Sequence, residues 1–285
     1  MRGARVLHAS RSARAPRALA ILALAGALAV SALALAHQGM HETIERLTHE
    51  ISEHPTDARL YHERGVAYMN DGKLEPARAD LQRAAELGDP AAVAYDLGVL
   101  FYRAGEYAQA RESLTAHLAQ SPGDPRAFDY RARAAREAGD VRAAIADFEA
   151  LFASASGVNP GHYVSAAELV AKLEDGGIAS ALALLDAGIA KLGVIPQLQR
   201  PAIAFERERG DLSAALRRLE TLAVPLGRNP EWRIERAELL HALRREDESR
   251  AELEDAARAL DAAKPTPARA ELKRRAEALR AQLTN

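Results

Sequence analysis

Residues 58–90, ARLYHERGVAYMNDGKLEPARADLQRAAELGDP, and residues 91–124, AAVAYDLGVLFYRAGEYAQARESLTAHLAQSPGD, decide the fold when one is laid over the other. In each, a glycine (Gly65, Gly98) precedes an aromatic residue (Tyr68, Phe101) by three positions. A second glycine follows (Gly72, Gly105), then Leu74 or Tyr107, Ala77 or Ala110, and Leu81 or Leu114. Apolar residues at three- and four-residue spacing on both sides of the second glycine predict two amphipathic helices. The glycine between them suits the left-handed backbone that ends a helix. Gly65, Gly98 and, in the next stretch, Ala132 leave room for the first helix to approach the second, where Ala77, Ala110 and Ala144 sit.

The same frame extends outward. Residues 125–158 carry Phe128, Ala132, Ala135, Gly139, Val141, Ala144, Phe148 and Leu151. Residues 162–195 keep it more loosely with Gly176, Ile178, Ala181 and Leu185, and residues 196–229 give Gly210, Leu212, Ala215, Leu219 and Leu222. Gly105 and Gly139 lie 34 residues apart, as do Gly176 and Gly210. Trp232 opens a sixth pair over 230–262, for which the spacing predicts a two-residue insertion around Arg245-Glu246. Residues 40–53 read as a lone amphipathic helix, and residues 266–283 as a terminal helix with the polar outer face of a cap. Prolines near the junctions separate one unit from the next.

Composition agrees with an all-α chain. Of 285 residues, 48% are apolar but only 5% aromatic, and the chain is rich in Ala, Leu, Arg and Glu, which favour helix. The absence of cysteine excludes disulfides, thiolate metal sites and thiol nucleophiles. A formal charge of −2 supplies no basic field for nucleic acid. No nucleophile elbow, phosphate-binding loop or dinucleotide fingerprint is present, so neither an enzyme nor a cofactor is expected.

The first 36 residues read as an address. Arg2, Arg5, Arg11, Arg14 and Arg17 precede an apolar run from Ala18 to Ala36 that closes on Ala34-Leu35-Ala36. This is the pattern of a secretory signal. Cleavage after Ala36 would leave an exported, periplasmic or secreted chain with 33 basic and 40 acidic residues, a charge of −7. The run of 19 residues, interrupted only by Gly26 and Ser31, also approaches a bilayer-spanning length, so a retained inner-membrane anchor over residues 18–36 is the other reading.

The units resemble the tetratricopeptide repeat, whose signature is W-x₂-L-G-x₂-Y, then A-x₃-F, then P, over 34 residues. The matching residues are Tyr61, Gly65, Tyr68, Ala77, Leu81 and Pro90, then Ala94, Leu97, Gly98, Phe101, Ala110, Leu114 and Pro122. The resemblance implies a right-handed superhelical solenoid of helix-turn-helix repeats over residues 58–262, with a His-rich segment (37–57) before it and a capping helix (263–285) after it. It also implies a non-catalytic scaffold that holds a protein or peptide partner in a concave groove lined by the first helices. The groove positions are then Arg59, His62, Val66 and Met69 in the first repeat. The second supplies Ala92, Tyr95, Val99 and Tyr102 with Arg103, and the third Arg126, Asp129, Arg133 and Arg136. Tyrosines beside an arginine row suit an extended peptide bearing carboxylates; the same arginines equally suit a solvated helix face. The groove lacks the Lys and Asn of the chaperone-tail clamp in this family.

Histidine is the second anomaly. His37, His41, His49, His54 and His62 crowd one short stretch. After cleavage, His37 would offer an amine and an imidazole together, with His41 close enough to add a ligand, a set suited to copper or zinc. The alternative function is therefore periplasmic metal handling with the repeats as a docking module. Polar surface histidine explains the same residues without metal.

Overall fold

A computed structural model describes residues 39–154, 157–173 and 177–283. The expected signal or anchor, His37 and Gly176 lie outside the described residues. The described part is helical, in two compact units that divide between Gln120 and Ser121.

Unit 1 begins with α1 (residues 39–53), whose Ile44, Leu47 and Ile51 are buried; Leu47 and Ile51 pack with Leu60 of the next helix. Two hairpins follow: α2 (Ala58–Asn70) with α3 (Leu74–Leu87), and α4 (Pro90–Arg103) with α5 (Tyr107–Gln120). Unit 2 holds α6 (Pro125–Glu137) with α7 (Val141–Ala153), α8 (Pro160–Val170) with α9 (Gly177–Leu192), and α10 (Pro196–Glu208) with α11 (Leu212–Thr221). The short α12 (Ala223–Leu226) leads to α13 (Pro230–Ala242), α14 (Glu246–Asp261) and the terminal α15 (Pro267–Gln282).

The junction prolines do more than separate units. Pro90, Pro125, Pro160, Pro196, Pro230 and Pro267 each begin a helix. Proline's missing N–H costs nothing there, and its fixed φ is already helical. In five of the six, the preceding Asp89, Asp124, Asn159, Asn229 or Thr266 accepts a hydrogen bond from a first-turn N–H. α8 therefore starts at Pro160, two residues before the expected repeat boundary.

The hairpin turn repeats atom for atom. Gly72, Gly105, Gly139 and Gly210 have φ of 77°, 79°, 78° and 84°. The residue after each donates its N–H back to the last turn of the first helix: Lys73 to Tyr68, Glu106 to Phe101, Asp140 to Ala135 and Asp211 to Glu206, at 2.8–2.9 Å. The sixth hairpin closes in the same way, with Arg245 N donating to Leu240 O at 2.9 Å. The expected insertion at Arg245-Glu246 is therefore absent. The frame is intact, and what differs is the residue in the glycine position: Arg244 takes φ 63°.

Packing explains the small residues. A Cβ on Gly65 would lie 2.8 Å from Leu81 Cγ, and one on Gly98 would lie 2.5 Å from Leu114 Cγ. Ala77, Ala110, Ala132 and Ala144 are fully buried. Tyr68 and Phe101 flank the helix pair beneath guanidinium groups, Arg64 at 5.9 Å and Arg78 at 5.3 Å from the ring centres. In the sixth hairpin Ser249 replaces the small alanine and donates to Ala237 O at 2.8 Å. Buried Trp232 donates to Leu219 O at 3.0 Å, fixing α13 on α11.

A polar feature recurs in the same register. Arg64 grips Asp80 through two hydrogen bonds of 2.7 and 2.8 Å. Arg131 grips Asp147 at 2.6–3.1 Å, and Arg236 donates to Glu252 at 2.7 Å. Each pair spans 16 residues and ties the first helix of a hairpin to the second. Asp80 and Asp147 are each 6% exposed, so these carboxylates leave water only because guanidinium groups replace it.

Candidate functional site

Unit 1 places four expected partner-binding residues on α4. Tyr95 is half-buried and its ring lies 5.3 Å from that of His117 on α5, tilted by 53°. Tyr102 sits 6.0 Å from the ring of Tyr107. Both phenols thus stand on other rings, in defined positions and partly open to solvent. Arg103 donates through Nη1 to Met69 O at 3.0 Å, satisfying a carbonyl at the end of α2. Its counterpart contact, 34 residues apart like this one, joins His62 Nε2 to Asp96 Oδ2 at 2.6 Å. Arg59 donates to Glu63 at 2.7 Å on its own helix.

Two expected groove residues are corrected. Val99 and Met69 are each only 4% exposed. These apolar side chains are withdrawn from water into the packing of the hairpins, so they support the face rather than contact a ligand. Of the other expected groove positions of unit 1, Arg59, Ala92 and Arg103 are exposed, and His62, Val66, Tyr95 and Tyr102 are half-buried.

The third-repeat arginines belong to unit 2, and each meets a carboxylate of its own segment. Arg126 donates to Asp124 at 3.0 Å and Arg133 to Asp129 at 3.5 Å, while Arg136 donates to Glu137 at 2.9 Å. Arg133 also lies over the ring of Tyr130, 5.2 Å from its centre. Asp129 has a second cation-capable neighbour, His162 Nε2, at 3.4 Å. Each of these three arginines thus has a carboxylate neighbour in its own segment.

Among the described histidines, His41 faces Glu45 at 3.3 Å and His49 faces Glu53 at 3.7 Å, all exposed on α1. Among the described residues no group of three or more His, Asp or Glu is gathered as metal ligands would be. No helix among the described residues is long and apolar enough to cross a membrane.

Sequence reasoning did not find the charged cross-links between hairpins. Arg78 of α3 holds Glu106 at the turn of the second hairpin in a two-pronged contact, one prong at 2.9 Å. The contact holds the Glu106 carboxyl below its usual range and the Arg78 guanidinium above its own. In unit 2, Arg218 of α11 reaches Glu206 of α10 at 3.0 Å and Asp186 of α9 at 2.6 and 2.9 Å. The hydrogen bonds to Asp186 and Glu206 raise the Arg218 guanidinium. The 16-residue arginine–acid spacing was a readable signal; the others depend on which hairpins stack.

No family model matches the sequence, and no curated protein matches it. Solved structures do. A tetratricopeptide repeat protein from Parabacteroides merdae superposes with a TM-score of 0.52 at 19% identity, covering 80% of this chain and 85% of that one. The C-terminal part of a repeat protein of the same kind from Cytophaga hutchinsonii gives 0.64 at 14% identity, over 80% of this chain and 95% of that one. The Naa15/Naa10 complex bound to HypK gives 0.52 at 16% identity, over 78% of this chain and 34% of that one. The hairpins, their glycine turns and these neighbours agree: the chain has the tetratricopeptide repeat fold.

Proposed function

We propose that this chain is an exported, non-catalytic scaffold that binds a protein or peptide partner on the first-helix face of its repeats. The observation that carries the reading is the α4 face, where Tyr95 and Tyr102 stand half-buried on neighbouring rings with Arg103 anchored beside them. Ordered aromatics with polar edges are what peptide and protein interfaces use as anchors. A solved complex with this fold, Naa15/Naa10 bound to HypK, carries protein partners. The basic-then-apolar opening of the sequence, ending at Ala36, supports export.

Affinity capture from the envelope fraction of the producing cell, with a C-terminal tag, tests this. Mass spectrometry reads both the co-purifying protein and the first residue of the chain. A defined partner lost with Tyr95→Ala/Tyr102→Ala, and a chain beginning at His37, is the expected result. A partner retained by the double variant removes the α4 face from the reading, and a chain beginning at Met1 replaces the cleaved signal by a retained anchor.

A further inference from the structure

The proline-led helix starts share one pattern, which α8 breaks. In α4, α6, α10, α13 and α15 the third helical residue is Ala92, Ala127, Leu198, Trp232 or Arg269. None of these side chains offers a hydrogen-bond acceptor. α8 carries His162 there, and its Nδ1 accepts the N–H of Asn159 at 3.2 Å. In return, Asn159 Oδ1 accepts the N–H groups of Gly161 and His162 at 2.8 and 3.3 Å. This is a closed capping box, in a role that Glu or Gln usually fills. The imidazole is only 13% exposed. From α6 it faces Asp129, whose Oδ1 lies 3.4 Å from Nε2 and whose Oδ2 accepts from Arg133 at 3.5 Å. From α7 it faces the ring of Phe148, with centres 6.4 Å apart, and from its own segment Asn159 Nδ2, 3.2 Å from Nε2.

We propose that His162 is a proton-operated latch on the start of α8. A neutral imidazole has one accepting and one donating nitrogen. The Asn159 N–H fixes Nδ1 as the acceptor, so Nε2 carries the hydrogen, next to Asp129. A second proton has only Nδ1 to occupy. Once it is there, Nδ1–H and the Asn159 N–H are two donors facing each other, and the box cannot stay closed. The charged ring also stands at the positive end of the α8 dipole, where a cation is disfavoured. Asp129 is the anion within its reach, so the imidazolium leaves the cap and pairs with α6, in competition with Arg133. The neutral ring thus closes the start of α8, and the charged ring opens it and strengthens the tie between the third and fourth hairpins. A Glu or Gln would hold the box without changing charge near neutrality; histidine is the side chain whose charge changes there. The latch acts within unit 2 and does not depend on what the α4 face binds.

Nuclear magnetic resonance of the isotope-labelled full chain tests this at about pH 8 and about pH 5, the ends of the interval in which histidine ordinarily changes charge. Two quantities are read: the protonation of each His162 ring nitrogen from its chemical shift, and the exchange of the Asn159 N–H with solvent, corrected for the intrinsic pH dependence of exchange. At the higher pH, a bare Nδ1 and a protonated Nε2 are expected. At the lower pH the corrected exchange should be about ten-fold faster, the worth of one hydrogen bond. His162→Gln supplies an acceptor that does not titrate, so exchange stays slow at both pH values. His162→Ala removes the box, so exchange is fast at both. Circular dichroism spectra of the parent that match at the two pH values show the opening to be local. A protonated Nδ1 at the higher pH, or parental exchange that does not change with pH, overturns the proposal. So does an equal acceleration in His162→Gln, which would place the titrating group elsewhere, or a loss of helix across the whole chain at the lower pH.

Discussion

Replacing Arg131 with methionine strands Asp147. The carboxylate is 6% exposed and takes hydrogen bonds of 2.6, 2.9 and 3.1 Å from Arg131, across the α6–α7 hairpin. Removing one partner of a buried pair costs about 3–5 kcal/mol, because the other charge stays desolvated. The Arg131 side chain is 22% exposed, so some water reaches the vacated space, and the low end, about 3 kcal/mol, is expected. With a urea slope of about 2 kcal/mol/M, that loss lowers the unfolding midpoint by about 1.5 M. The double variant Arg131→Met/Asp147→Leu should recover most of it, since apolar replacement of a buried pair is often neutral. Arg126→Met, at a pair whose arginine is 69% exposed, should barely move the midpoint. A midpoint shift for Arg131→Met no larger than that of Arg126→Met would refute the reasoning. So would a double variant no more stable than the single one.

Gly98→Leu should destabilise by about 1–3 kcal/mol, since even its Cβ meets Leu114 Cγ at 2.5 Å; a parental thermal melt would contradict the α4–α5 packing. Arg244→Gly should raise stability by up to about 1 kcal/mol, because φ 63° is strained for a residue with a Cβ. Gly105→Ala should do the opposite, and denaturant midpoints of both variants decide it. Glu106 is held below its ordinary value by Arg78, so its folded pKa is the lower one. Its contribution is present above the unfolded value of about 4.3 and is lost as pH falls through the folded value. The difference in melting temperature between the parent and Glu106→Gln should therefore be constant near neutrality and close below about pH 4. A difference that grows on acidification would reverse the sign of the argument.

The hairpins were legible because their determinants are local. Gly72, Gly105, Gly139 and Gly210 mark turns through their own φ, and the alternation of Gly65 or Gly98 with Ala77 or Ala110 reports a close helix pair at short range. Even so, a residue name misled where geometry did not change. Arg244 occupies a glycine position, where the spacing predicts a two-residue insertion around Arg245-Glu246. The face proposed to bind a partner is a different case. Helical spacing placed Tyr95 and Tyr102 together, but Val99 on the same stripe is buried, because which edge of a helix a neighbouring hairpin covers is not a property of that helix alone.

The sequence by itself determined the period, the pairing of helices within a unit, the capped helix starts and the small residues at their crossings, since each depends on neighbours a turn or a hairpin away. Only the tertiary structure decided which charges find each other between hairpins. His62 with Asp96, Arg78 with Glu106, Arg218 with Asp186 and Arg275 with Glu238 come from different units of the repeat. An arginine selects among several carboxylates within its reach by position in space, and that position is set by how the hairpins stack. The same stacking leaves Arg207 Nε shielded from solvent with no acceptor, although Glu238 lies 4.0 Å from the same guanidinium.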